Sequence, residues 1–292
     1  MQRPDVLLMD ILIRQLTALG VGRGDAVMTH VSLRAVGPLA GGPAALLEAI
    51  LACVGAEGNL MAYVSWSDSP YEETLGQAAI PDAVRDSWPA FDPDHAPTYP
   101  GFGAFNEFIR MHPGCRRSAH PDASMAAIGA DALWLVAPHP MDSAYVPGSP
   151  IERLLHKRGK ILSIGAGPDA ITALHYAEAV ARIPGKRRVS YSMPVLDEEG
   201  KRVWVTASDW DSNGILDEYA QAGQADAVER IARDYLAFGR HREGQVGRAA
   251  ARLIDANDIV RFGQAWLERR HPQAASDAAR LDEPEVSRGR PQ

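Results

Sequence analysis

The apolar pattern over residues 5 to 19 reads as a helix that ends at Gly20, and Asp25-Ala-Val-Met-Thr-His30 then reads as a strand. The glycine-rich segment from Val31 to Gly42 reads as a loop, and Pro43 suits the first turn of a helix running to about Val54. Asn59-Leu-Met-Ala-Tyr-Val64 is the next strand. Strand, loop, helix and strand in that order predict an α/β sheet.

Residues 65 to 110 break this rhythm with Ser67-Asp-Ser-Pro70, Trp88-Pro-Ala-Phe-Asp-Pro-Asp94, Pro97 and Pro100, a long proline-rich excursion carrying aromatics. Long loops inside compact domains tend to be lids or binding loops. Regular structure resumes at Asn106–Arg110 and at 126–137, followed by a strand at 160–164 and a helix from about Asp169 to Arg182. The runs 188–196 and 201–206 flank Asp197-Glu-Glu-Gly200 as a hairpin, an antiparallel pair that predicts a mixed sheet. Helical segments follow at 212–221 and 225–237, and Asp255 caps a last helix to about Arg270. The expected architecture is a single α/β domain over residues 1–272, with a central mixed β-sheet flanked by helices and a long proline-rich loop insertion. Residues 273–292, with scattered proline and charge, read as a disordered tail.

Composition narrows the classes. Of 292 residues 46% are hydrophobic and 23% charged, ordinary values for a globular chain. No apolar run approaches the ~18 residues of a membrane span, and the first residues lack a secretory pattern, so a cytoplasmic protein without a membrane partner is expected. The net charge of −7 argues against nucleic acid and suits a cationic ligand. Cys53 reads as helical core; Cys115 has cationic neighbours, yet a structural role is favoured over a nucleophilic one. No Cys/His spacing suggests a metal.

The strongest chemical signal is Thr172-Ala-Leu-His-Tyr-Ala-Glu178, which follows the strand Lys160–Ile164 and the turn Gly165-Ala-Gly167. Residues three apart share a helix face, so His175 and Glu178 can meet. A carboxylate beside a histidine fixes its tautomer and raises its basicity, which is how a general base is built. A Gly-rich turn at a strand's C-terminal end is also where open α/β sheets bind ligands. A surface ion pair or a capped core histidine is the plain alternative, and the pair alone leaves it open.

Further segments fall in order along the chain: His30-Val-Ser-Leu-Arg-Ala-Val-Gly37 with Gly41-Gly-Pro43, Arg117-Ser-Ala-His-Pro121, Ala126-Ala-Ile-Gly129 and Ser149-Pro150. With the His175 segment, they resemble the aminoglycoside 3-N-acetyltransferase family over roughly residues 5 to 265. The chain departs from the family pattern at Val31, where a serine is common, and at Met61-Ala-Tyr63, which replaces M-P-T. These departures bear on substrate range.

The resemblance implies acetyl transfer from acetyl-coenzyme A to the 3-amino group of a gentamicin-like 2-deoxystreptamine aminoglycoside, conferring antibiotic resistance. It implies direct transfer in a ternary complex without a metal. His175 would be the general base and Glu178 its support. Coenzyme phosphates call for backbone N–H groups and arginine, which points to Ser32, Leu33, Arg34, Arg117, Ser118 and His120. A polycationic drug calls for carboxylates: Asp209 and Asp211 first, then Asp68, Glu72 and Asp92. Asp209 and Asp211 also fit a helix cap, and His120 a core histidine. Another amine substrate or a non-catalytic cation-binding protein are the competing readings, and monomer and homodimer both stay open.

Overall fold

The computed structural model describes residues 7–76, 81–142 and 144–272; the tail expected from residue 273 lies outside the described residues. Among the described residues there are nine strands: β1 Ala26–Val31, β2 Asn59–Tyr63, β3 Arg116–Arg117, β4 Met125–Gly129, β5 Lys160–Ile164, β6 Arg188–Leu196, β7 Arg202–Trp210, β8 Arg242–Val246 and β9 Ala249–Asp255. Seven of them form one sheet in the order β3-β4-β2-β1-β5-β9-β8. β1 runs parallel to β2 and β5, while the flanking strands are antiparallel to their neighbours. The sheet is mixed, as expected, but not because of the predicted hairpin. β6 and β7 pair only with each other, as a separate two-stranded sheet.

Every residue of β1 is buried, as befits a central parallel strand covered on both faces. Successive side chains point to opposite faces. Met28, Met61, Met125 and Ile161 pack with Ile151, Leu174, Ile231 and Ile259 of helices Pro150–His156, Ala173–Val180, Ala227–Ala237 and Ala256–Arg270. Val27, Leu60, Ala126 and Leu162 pack with Leu12, Leu16, Leu46 and Ile50 of helices Met9–Leu19 and Pro43–Val54. Each fully buried aliphatic side chain contributes about 1.5–3 kcal/mol relative to exposure. Gly20 closes the first helix at a φ of +107°, donating to the carbonyls of Leu16 and Thr17. No described helix is long and apolar enough to cross a membrane.

The excursion is built from short helices at Tyr71–Thr74, Asp82–Ser87 and Ala104–Arg110, with a 3₁₀ turn at Pro100–Phe102. It is pinned by aromatic contacts: Trp66 to Phe91 at 5.6 Å, and Tyr71 to Tyr191 of β6 at 4.9 Å.

The expected helix at 212–221 is replaced by a turn, with only Asp217–Tyr219 helical. The Asp211 carboxylate accepts the Asn213 N–H at 2.9 Å, and the Ile215 carbonyl accepts the Arg187 N–H at 2.9 Å. Such local bonds compete with helix formation.

Candidate active site

A cavity of about 720 Å³ opens at the C-terminal ends of β1, β2 and β5, the place where open α/β sheets bind ligands. Gly165 makes the exit from β5 at a φ of +64°, where a Cβ would lie 2.5 Å from the Ala35 methyl. Only glycine lets the chain turn there. A 3₁₀ turn at Pro168–Ala170 leads into the helix Ala173–Val180, and Lys186 closes that helix by donating to the Ala179 and Glu178 carbonyls.

On this helix His175 Nδ1 lies 2.7 Å from Glu178 Oε2. Glu178 is only 3% exposed, whereas His175 reaches the cavity wall. With its Nδ1 hydrogen donated to the carboxylate, the ring keeps Nε2 to accept a proton. Burial alone would pull the imidazole down. The Glu178 hydrogen bond and charge, helped by Asp226, outweigh it and hold His175 above the usual value.

The described lining includes four carboxylates, Glu72, Asp122, Asp169 and Asp226, and no lysine or arginine. Burial pushes the Asp122 carboxyl up to about 6, against hydrogen bonding from Ser69 (3.0 Å), and the charge of Glu72 adds to the rise. His30, at the end of β1, also lines the cavity; burial lowers it to about 4, and its Nε2 has no partner among the described residues. It is a neutral imidazole at working pH. Among the described residues no three His, Cys, Asp or Glu side chains are grouped to hold a metal.

The residues expected to bind substrate divide. Glu72 lines the cavity. Asp68 is exposed, outside the lining, with its main-chain carbonyl accepting from Trp88 Nε1 at 2.7 Å. Asp92 is paired with His95 at 2.7 Å, and burial there is outweighed by this bond, which holds its carboxyl low. Asp209 and Asp211 are 4% and 3% exposed and share a crevice with His175 and Glu178 rather than lining the large cavity. Asp209 accepts the N–H groups of Ala144 and Trp210; Asp211 pairs with Arg187 at 2.9 Å. Both acids brace the ground behind the dyad.

The residues expected to hold coenzyme divide in the same way. Ser32 lines the cavity and caps Leu33–Val36, accepting the Ala35 N–H at 3.4 Å; Leu33 packs on the core and Arg34 is exposed beside it. Arg117 does not reach the cavity. Its guanidinium donates to Ser124 Oγ at 3.1 Å and to the carbonyls of Ala96 and Val64, lies 4.8 Å over the Phe91 ring, and is lowered by burial to about 10. Ser118 and His120 are interior as well. Ser118 Oγ accepts the Met125 N–H and meets His139 Nδ1, both at 2.9 Å, while His120 accepts the Ala123 N–H at 3.0 Å. These three donors and acceptors are spent on the protein itself. Cys115 is likewise inert: burial raises its thiol to about 11 despite Arg117 and Arg110 nearby.

Several lining residues escaped the sequence reading. Asp122 directly follows the segment that ends at Pro121, so adjacency was a usable signal. Asp226 accepts the Glu229 N–H at 2.8 Å as a helix cap, the position where an aspartate reads as structural. Tyr63 was visible only within the Met61-Ala-Tyr63 departure, and Tyr99, Phe102 and Tyr145 carried no signal beyond being aromatic.

A family profile described as aminoglycoside 3-N-acetyltransferase matches residues 28–268. The aminoglycoside N(3)-acetyltransferase III of Serratia marcescens is 53% identical over 254 residues, 87% of this chain and 94% of that protein. The aminoglycoside N(3)-acetyltransferase VIII of Streptomyces fradiae is 43% identical over 91% of this chain and 94% of its own length. Among solved structures, sisomicin-bound AAC-VIa superposes with a TM-score of 0.90 at 70% identity, covering 91% of this chain and 99% of that one. AAC-IIIb in a binary complex with CoASH superposes at 0.86 and 36% identity, covering 93% and 100%. By sequence and by fold, this chain belongs to the aminoglycoside 3-N-acetyltransferase family.

Proposed function

We propose that His175 is the general base of an acetyl transfer in which acetyl-coenzyme A and an aminoglycoside meet in this cavity as a ternary complex. The transfer, from acetyl-coenzyme A to the 3-amino group of a 2-deoxystreptamine aminoglycoside, is the activity of the family. The observation that carries the reading is the 2.7 Å contact of His175 Nδ1 with buried Glu178, on a ring that lines an acidic cavity.

The chemistry follows from that placement. The amine arrives as an ammonium and gives one proton to water. As its nitrogen attacks the thioester carbon, His175 takes the second proton and Glu178 stabilises the imidazolium. The C–S bond then breaks and the imidazolium returns the proton to sulfur, so the base is regenerated.

Glu72, Asp122, Asp169 and Asp226 suit a polyamine, each carboxylate matching an ammonium with a charge-assisted bond. The coenzyme's phosphates would be repelled by these acids. We place them outside the carboxylates, at Ser32 and Arg34 on the corner after β1. Asp209 and Asp211 act through the dyad's surroundings, not by touching the drug. Arg117, Ser118 and His120 support the wall from inside. We place the reaction in the cytoplasm, where acetyl-coenzyme A is made.

The test is thiol release from acetyl-coenzyme A with gentamicin-like substrates, in wild type and in His175→Ala. Turnover that depends on both substrates and disappears in the variant is expected. A folded His175→Ala protein with wild-type kcat would remove the proposed base.

A further inference from the structure

The His175 ring has a neighbour that neither the base–carboxylate pair nor the acidic lining accounts for. Tyr145 lies against it, ring centroids 4.9 Å apart and planes 36° from parallel. Tyr145 is buried, and it borders both the cavity and the crevice behind Glu178. Its far end is anchored. The hydroxyl engages that of Tyr63, which donates to the Asp122 main-chain carbonyl at 3.1 Å and packs edge-on against Phe102 at 4.9 Å.

We propose that Tyr145 is a positioning residue for the base: its ring holds the His175 imidazole in line with Glu178, and its π face stabilises the imidazolium formed when the proton is taken. The proposal rests on the reading of His175 as base. Glu178 binds the ring at one atom only, and a ring held at one atom can still rock about that bond. A stacked neighbour removes this freedom. An aromatic face also attracts a cation whose charge lies within about 6 Å of its centroid, more strongly where water is excluded.

The charged groups around the ring do not replace this contact. Glu178 and Asp226 favour the imidazolium through charge, and Asp209 and Asp211 lie in the crevice behind, the latter neutralised by Arg187. Lys186 sits at the helix end, held by carbonyls and over the Trp210 ring at 4.1 Å.

The experiment is an NMR titration of the isotope-labelled His175 ring in wild type, Tyr145→Phe and Tyr145→Leu, alongside kcat and both KM values across pH. Phe, which keeps the ring, should hold the midpoint and keep kcat within about twofold. Leu should lower the midpoint by about half a unit, as loss of a cation–π contact predicts. It should also lower kcat about tenfold with little change in either KM, as loss of positioning predicts. Phenylalanines of increasing fluorination at position 145 keep the shape and drain the π face, so the midpoint should fall stepwise. This series decides the question even if the leucine variant does not fold. A midpoint that stays fixed across the fluorinated series, or wild-type kcat in Tyr145→Leu, overturns the proposal. Because the ring titration needs no turnover, it judges the stack separately from His175→Ala, which judges the base.

Discussion

At His175 one ring nitrogen meets a buried carboxylate at 2.7 Å and the ring borders a cavity. At His120 the surroundings are closed. Nδ1 accepts the Ala123 N–H, Nε2 meets the Tyr191 hydroxyl at 3.3 Å, and the side chain is 0% exposed. Burial, with His139 nearby, drives His120 far below the ordinary imidazole value, whereas Glu178 lifts His175 above it. The two regions use the same residue type for opposite ends. A histidine with a counter-charge and an open nitrogen is poised to move a proton, and one whose nitrogens are both satisfied by the protein holds a wall together.

The largest expected effect tests that contrast directly. His175→Ala should lower kcat by about 10²–10⁴ with little loss of stability, while His120→Ala should cost about 3 kcal/mol and leave the kcat of the folded enzyme nearly intact. Steady-state kinetics and denaturant unfolding on both variants check it; equal kinetic losses would erase the distinction. Arg117→Met comes next, because it leaves the carbonyls of Ala96 and Val64 and Ser124 Oγ without their cation. A loss of about 3 kcal/mol or more is expected, with KM for acetyl-coenzyme A unchanged. A stable variant whose KM rises by about tenfold or more would instead return Arg117 to the coenzyme.

Glu178→Gln keeps the shape but not the charge, and should reduce kcat by roughly 10–100-fold. The sign on pH is fixed: Glu178 raises His175, so the acid limb of kcat should move to lower pH in this variant, measurable in a pH–rate profile. The smallest effect sharpens the cavity side. Asp122 charges only above about 6, so aminoglycoside affinity measured by calorimetry should weaken as pH falls through that value. Asp122→Asn should flatten this dependence and weaken binding about fivefold at pH 7.5. Its folded carboxyl is raised, so wild-type stability is lost as pH climbs from the unfolded value near 4 to about 6. The asparagine variant, free of that burden, should be more stable at neutral pH by about 1–3 kcal/mol.

Much of this was legible in the chain. β1, β2 and β5 announce themselves as apolar runs set off by turns, because parallel central strands are buried on both faces. The dyad was legible because its geometry is local: spacing on one helix brings Nδ1 to Oε2. The hairpin β8–β9 was not, since Arg242-Glu-Gly-Gln-Val246 and Ala249-Ala-Ala-Arg252 lack a β-branched run, and their conformation is imposed by pairing of β9 with β5 and of β8 with β9. Direction was the harder quantity. Asp209, Asp211 and Arg117 were visible as charges, but whether a charge faces a cavity or an internal partner depends on contacts far along the chain. Arg187 meets Asp211 and Val64 meets Arg117 only in the folded protein.

The excursion and the β5 exit supply different parts of the cavity. Glu72, Tyr99 and Phe102 arrive on the former, His175 and Glu178 on the helix that follows the latter. Part of the cavity wall is therefore encoded apart from His175 and Glu178, whereas Asp122, Asp169 and Asp226 lie outside that stretch. Codons between residues 65 and 110 can drift and reshape that part of the wall while the helix that carries His175 and Glu178 is passed on unaltered. One side of the cavity can evolve without touching the other.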